Sequence, residues 1–419
     1  MRIRIRNGRL IDPASGRDAL ADLFIAEGKI SAEFSRPERV IDAQGLVVAP
    51  GFVDLAARLR EPGFEYKATL ESELDAALAG GVTSLACPPD TDPPLDEPGL
   101  VDMLRRRASA LSRARVYPVG ALTLKLAGEA LTEMGQLSDA GCVAFSQGNV
   151  PVSDTQVLWR ALQYAATFGY KVWLTVQDAA LAKGGVAHDG EVATRLGLAG
   201  IPSFAETIAL GTLIELVRAT GARVHVCRLS SAEAVELMRR AKAEGLPLTC
   251  DVGIHHLHLS EMDLGYFDAH CRLEPPLRSA RDRDALARAL AQGVVDCLVS
   301  DHTPVDEDGK HLPFAEAEPG AIGLELLLPL ALKWGEAQRL PLPATLAPIT
   351  AAPARILGAD CGRIAVGAPA DLAIFDPQAP FEVSARSLKS QGKNTPFLGY
   401  ELAGRVRYTL VAGNVVYEG

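Results

Sequence analysis

The sequence predicts an α/β protein: a TIM (β/α)8 barrel carrying a small β-sandwich built from both termini. Three observations carry this. Short alternating strands occupy both ends of the chain, short apolar runs alternate with amphipathic stretches across the middle, and such units number about eight over about 300 residues. The expected division is residues 1–50 and 359–419 for the sandwich and 51–358 for the barrel.

In order along the chain, Ile3 and Ile5 alternate with arginines, Asn7-Gly8 is a turn signal, and Leu23-Phe24-Ile25 runs into the turn residues Glu27-Gly28-Lys29. The far end answers with Asp371–Asp376 and Arg405–Tyr417, the latter turning at Gly413-Asn414. One sheet system built from both ends would bring the termini together. In the middle, Val82–Cys87, Val116–Gly120, Cys142–Phe145, Lys171–Val176, Arg223–Cys227, Leu248–Val252 and Val294–Val299 read as buried parallel strands. Ala232–Glu244 and Ala280–Ala291 read as helices with polar outer faces. Pro88–Pro94 reads as a rigid loop after the second strand. In such a barrel chemistry sits at the C-terminal strand ends, so ligands are to be sought there.

The 419 residues are 48% hydrophobic and 22% charged, enough apolar mass for a large core. A net charge of -10 without a dense Lys/Arg run gives no footprint for nucleic acid or an anionic membrane. No apolar run approaches the roughly 20 residues of a membrane span, and the start of the chain lacks the apolar stretch of a signal peptide. Seven unpaired cysteines without CxxC spacing point to reduced thiols and a cytoplasmic protein.

The segment Pro50-Gly-Phe-Val-Asp-Leu-Ala-Ala-Arg-Leu-Arg-Glu-Pro-Gly63 resembles the dihydroorotase signature, in which Pro-Gly-Phe-Ile-Asp precedes a His-x-His pair and then Leu-Arg-Glu-Pro-Gly. The resemblance continues through Gly200-Ile-Pro202, Pro275-Pro-Leu-Arg278, Ser300-Asp-His-Thr-Pro304 and Gly392–Phe397, and so spans essentially the whole chain. It implies the barrel-plus-sandwich architecture and a reversible cyclic-amide chemistry, carbamoyl aspartate to dihydroorotate. In that family one or two zinc ions activate water and an aspartate after the eighth strand moves protons.

The positions that the resemblance assigns to metal ligands are changed. The His-x-His pair is Ala56 and Arg58, one residue without a donor and one that is always cationic. The bridging acid falls at Gln147, the fifth-strand histidine at Thr175 (Gln177 if the register slips by two), and the sixth-strand histidine at Arg228. Only Asp301 remains, whereas a catalytic zinc needs three protein ligands and an open position. Arg58 and Arg228 are expected to replace the lost cationic charge and pair with Asp301, because a lone buried carboxylate is costly. Among substrate positions, Arg60 matches the family arginine that grips a carboxylate, while Asp90 and Glu274 stand where the family has asparagines and add negative charge. Val305 replaces a loop histidine common in the family.

Each change has a plain structural reading: Ala56 as core, Arg58 as an interior ion pair, Gln147 as a loop amide, Thr175 as a strand residue, Arg60 as a partner of Glu61. Five losses at five ligand positions weigh against accident. His255, His256 and His258 cluster after Asp251-Val-Gly253, and packing is the expected role. His225 should lie one layer below the barrel mouth, and His188, His270 and His311 in surface loops.

The resemblance therefore implies a dihydroorotase-like protein without catalysis, of the subgroup that partners aspartate transcarbamoylase, homo-oligomeric and with no cofactor. The competing expectation is a zinc-dependent dihydroorotase or related cyclic-amide hydrolase with a rearranged metal site. A small-molecule sensor using the arginine-lined cavity is a third.

Overall fold

The computed structural model describes residues 2–419. Eight parallel strands form the barrel: Phe52–Asp54, Val82–Cys87, Arg115–Ala121, Ala144–Ser146, Lys171–Thr175, Arg223–Cys227, Leu248–Gly253 and Cys297–Val299. They are hydrogen-bonded to their neighbours in that order. Closure comes just beyond the first and eighth strands. A parallel bridge joins Ala57 to His302, with Arg58 N donating to His302 O at 2.9 Å and His302 N donating to Ala56 O at 3.0 Å. Buried Asp54 tightens the same seam by accepting from Ser300 N at 3.0 Å and from the Ser300 hydroxyl.

Alternation within each strand separates two cores. In the fifth and sixth strands Val172, Leu174, Val224 and Val226 face the surrounding helices, and Trp173 packs inside the barrel with Val53, Val119, Cys297 and Val299. Helices fill the outer layer. Ala232–Ala243 and Ala280–Ala291 begin at Ser231 and Ser279, whose hydroxyls accept the backbone N–H of Ala234 and Asp282.

The sandwich draws strands from both ends. Val47–Pro50 pairs in parallel with Arg2–Asp12 and antiparallel with Leu372–Glu382, which continues to Glu401–Val411 and Asn414–Glu418. Its own core gathers Ile3, Ile5, Ile25, Val48, Ile374 and Leu410. Glu27 and Gly28, both with positive φ, turn the chain between paired strands.

Two sequence expectations change. Asn7-Gly8 is a register shift inside one long strand, with Asn7 at φ 62°, and so a bulge rather than a turn. A Cβ on Gly8 would lie 2.7 Å from Val48 Cγ2, so the strand approaches its neighbour there as only glycine allows. The fourth and eighth strands start later than their apolar runs, at Ala144 and Cys297. All seven cysteines are free, and all but Cys227 are buried.

Candidate functional site

The barrel mouth is closed by an interlocked set of polar side chains. Arg58, just past the first strand, donates from Nε to Asp90 Oδ2 at 2.7 Å, from Nη1 to Thr303 Oγ1 at 3.2 Å and from Nη2 to Asn149 Oδ1 at 2.8 Å. Its Nη1 also lies 3.6 Å from Asp301 Oδ1. Arg228, just past the sixth strand, donates from Nη1 to Asp301 Oδ1 and to the Glu274 carbonyl, both at 3.2 Å. Its Nη2 donates to Asn149 Oδ1 and to Thr175 Oγ1. Both arginines are about 5% exposed.

The backbone aims these groups. Arg60, Arg228 and Asp301 all sit in the left-handed region, at φ 62°, 57° and 47°. Each such residue costs roughly 1 kcal/mol or more, and is retained where its surroundings over-determine it. For Arg228 the restraint is visible: its N–H donates to Asp251 Oδ1 at 2.6 Å, and Asp251 is held in turn by His225 Nε2 at 2.8 Å. The Pro88–Pro94 loop is pinned against the first strand's loop, where Asp92 N donates to Pro62 O and a Cβ on Gly63 would fall 2.2 Å from Asp92 O. That clamp sets Asp90 beside Arg58.

The charges are paired. Burial alone would raise the Asp90 carboxyl, but Arg58, with Arg60 and Arg228, holds it below the usual carboxylate range. Burial works against the charge of Arg58, and Asp90 and Asp301 outweigh it. Arg60 differs: burial, then the neighbouring Arg58, lowers its affinity for the proton. Its one hydrogen bond goes from Nε to Pro304 O at 2.8 Å, with Phe64 beneath its face. Of the two readings of Arg60, a pocket remnant or an ion pair, the pair with Glu61 is not formed among the described residues. Glu61 turns away to accept from Leu70 N and to pair with Arg107, because the start of a helix offers it an unpaired N–H.

Of the sequence-predicted positions, Arg58, Asp90, Thr175, Arg228 and Asp301 come together directly, and Glu274 joins through its backbone carbonyl. Ala56 lines the inside of the barrel below them. Gln147 stands apart. Its Oε1 accepts from Thr123 Oγ1 at 2.9 Å and its Nε2 has no partner among the described residues. The amide that lies between the two arginines is that of Asn149, two residues further on. The bridging-acid position stops at Gln147, and nothing in residue type alone marks Asn149; its place in the loop after the fourth strand is the signal that points to it. Thr303 was likewise read only as part of a motif. Val305 is buried, and its N–H donates to Asn394 Oδ1.

Below the interlock, a cavity of about 30 Å³ lies between Ala56, Trp173, Thr175 and Cys227. That is room for a water molecule or two. A divalent ion at the family's position would meet two guanidiniums within 3.6 Å of the one remaining carboxylate, and neutral oxygens from Asn149 and Thr175. This donor set does not fit the group, since fixed positive charges occupy the place a cation needs.

The histidines find other work. His302 Nε2 lies 2.6 Å from Glu73 Oε2, and its Nδ1 accepts from Gly323 N at 3.1 Å, which places the proton on Nε2. His256 and His258 bond the carbonyls of Pro275 and Leu330, and His255 stacks on Phe397 at 5.8 Å. His188 and His270 are half-buried rather than in open loops; His188 lies in a short strand, where its Nδ1 faces Arg278. His225, Cys227 and Asp251 place one possible ligand atom each within 4.8 Å of one another, one layer below the mouth. Both ring nitrogens of His225 are engaged, by Thr249 and Asp251. Burial, then Asp251, raises the Cys227 thiol well above its usual value, so it stays protonated. Among the described residues no helix is long and apolar enough to cross a membrane.

Residues 45–234 match the family described as Dihydro-orotase-like, and residues 173–417 the Amidohydrolase family. A "Dihydroorotase-like protein" of Pseudomonas aeruginosa is 48% identical, with 100% of each chain covered. A "Dihydroorotase" of Geobacter sp. strain M21 is 40% identical, again over 100% of both. Among solved structures, the L-hydantoinase (dihydropyrimidinase) of Arthrobacter aurescens superposes with a TM-score of 0.89 at 27% identity, covering 99% of this chain and 96% of that one. Fold and relatives agree, and the chain belongs to the amidohydrolase family, among its dihydroorotase-like members.

Proposed function

We propose that this chain is a non-catalytic dihydroorotase-like protein that works without a metal cofactor, as a cytoplasmic structural partner of aspartate transcarbamoylase in pyrimidine biosynthesis. The observation that carries the first half is the interlock of Arg58, Arg228, Asn149 and Asp301, which occupies the place of a metal centre and leaves only about 30 Å³ beneath it. A barrel that keeps its core and loses its chemistry is suited to be a scaffold. The partner follows from the resemblance of the Ala56–Arg58 signature to the subgroup that assembles with that enzyme, and the name of the Pseudomonas aeruginosa relative is in keeping with it. Homo-oligomerisation belongs to the same reading.

Two measurements test it. Dihydroorotate hydrolysis with added zinc should stay at background, with no effect of a chelator. Mixing the chain with aspartate transcarbamoylase should produce a larger particle and raise carbamoyl transfer; two unshifted peaks and unchanged activity would remove the partner.

The competing reading, a cyclic-amide hydrolase with a relocated metal, draws on the His225–Cys227–Asp251 group and on the hydantoinase likeness. It requires turnover that chelation abolishes and that His225→Ala eliminates.

A further inference from the structure

At the opposite end of the barrel, where the strands begin, a cavity of about 280 Å³ opens between the fifth and sixth strands. Lys171 and Arg223 start those strands and are register partners across the parallel ladder. Arg355 joins them from the last turn of helix Ala351–Leu357. Like charges set opposite each other in a ladder repel. No Asp or Glu lines this cavity, and the influences on Lys171 are burial and Arg223, which bring it down to about 8.

The local hydrogen bonds offset only part of that charge. Lys171 Nζ donates to the carbonyls of Ile356 and Leu357 at 3.0 and 2.6 Å, and Arg223 donates to that of Gly169. Those carbonyls end two helices, and two helix ends amount to roughly one negative charge against three positive ones. Behind the cations stands a wall of Trp173 and His225, with ring centroids 5.5 Å apart, and the buried Trp173 Nε1 has no hydrogen-bond partner among the described residues. Thr249 adds a hydroxyl, 2.8 Å from His225 Nδ1.

We propose that this basal cavity binds a phosphate group, free or esterified to a small molecule, between Arg223, Arg355 and Lys171. Two guanidinium forks match phosphate oxygens in geometry, and the lysine adds a point charge. A volume of about 280 Å³ is near the lower bound for small-molecule sites, so an ester with a short organic portion fits as well as the bare ion. The apolar flank of Leu246, Pro247 and Ile356 would cover that portion. The site is independent of the mouth, from which Trp173 separates it.

Isothermal titration of the full chain at pH 7, with ionic strength held constant by chloride, tests this with two probes: inorganic phosphate and glycerol phosphate. One site per chain is expected. Arg223→Glu and Arg355→Glu should each weaken it at least tenfold while the melting temperature in chloride shows the variants folded; Arg355 is exposed, so its replacement spares the core. Arg60→Ala, at the other end, should leave binding unchanged. Tighter binding of glycerol phosphate identifies an esterified ligand, and equal binding a free one. No saturable heat with either probe, binding that survives both charge reversals, or binding lost in Arg60→Ala would overturn the proposal.

Discussion

Arg58 and Arg228, from opposite sides of the barrel mouth, converge on a single oxygen: both donate to Asn149 Oδ1. Two buried cations sharing one neutral acceptor are tolerable because Asp301 touches both and Asp90 holds the first. The set behaves as a unit, so its members should show strongly non-additive substitutions.

Asp301→Asn removes the central charge while keeping a residue type that accepts the left-handed conformation at φ 47°. The backbone is thereby controlled for. A loss of about 3–5 kcal/mol is expected, because two buried guanidiniums lose their shared counter-charge. Urea unfolding measures it, and a change under 1 kcal/mol would mean the mouth is hydrated and the pairing weak.

Asn149→Ala should cost about 1–3 kcal/mol by leaving donors of both arginines unmet. Asn149→Asp should stabilise relative to Asn149→Ala at neutral pH. A carboxyl there would sit between two cations, so its folded pKa would lie below its unfolded value. Its contribution is then present above pH about 4 and lost as pH falls through the folded pKa. Midpoints of unfolding at pH 7 and pH 3 for both variants check the sign.

Restoring the first-strand pair with Ala56→His and Arg58→His should not create a metal centre. Arg228 would still occupy the cavity, and Asp90 would lose its partner. The expected result is a destabilised protein with less than stoichiometric zinc by elemental analysis. Tight zinc binding would show that Arg228 can swing away.

His255 lies fully buried against Phe397, neither ring nitrogen with a well-aligned partner, and burial pushes it down to about 4. A base with a depressed folded pKa leaves the unfolded chain binding more protons. Its stability contribution is therefore intact above pH about 6.5 and falls, by roughly 3 kcal/mol, as pH drops toward 4. His255→Phe should flatten that part of the stability–pH curve and raise stability at pH 5. An unchanged slope would exclude His255 as its source.

Much of this was readable from residues. Barrel strands announced themselves because interior and exterior faces are both apolar, so Val82–Cys87 or Arg223–Cys227 needed no knowledge of their neighbours. Asn7-Gly8 misled because one dipeptide serves a turn and a bulge alike, and only the partner strand decides between them. In the mouth, the chemical mismatch of Ala56, Arg58 and Arg228 was plain from residue type. Asn149 was not, since its importance lies in where a loop sets it, midway between side chains about 80–90 positions away on either side. The partner of Glu61 was open for the same reason: the N–H that captures it belongs to a helix whose position is a tertiary fact.

The strand Val47–Pro50, paired in parallel with Arg2–Asp12 on one side, finds its antiparallel partner only in the segment that begins at Leu372. On the ribosome, the first fifty residues must therefore wait for nearly all the rest to emerge, roughly 15 to 60 seconds at ordinary elongation rates. Throughout that interval Ile3, Ile5 and Ile25 have no completed sandwich to enter, and a nascent chain stalled short of Leu372 would present them to chaperones and proteases. The last strands thus seal the beginning of this protein only when its end has been made.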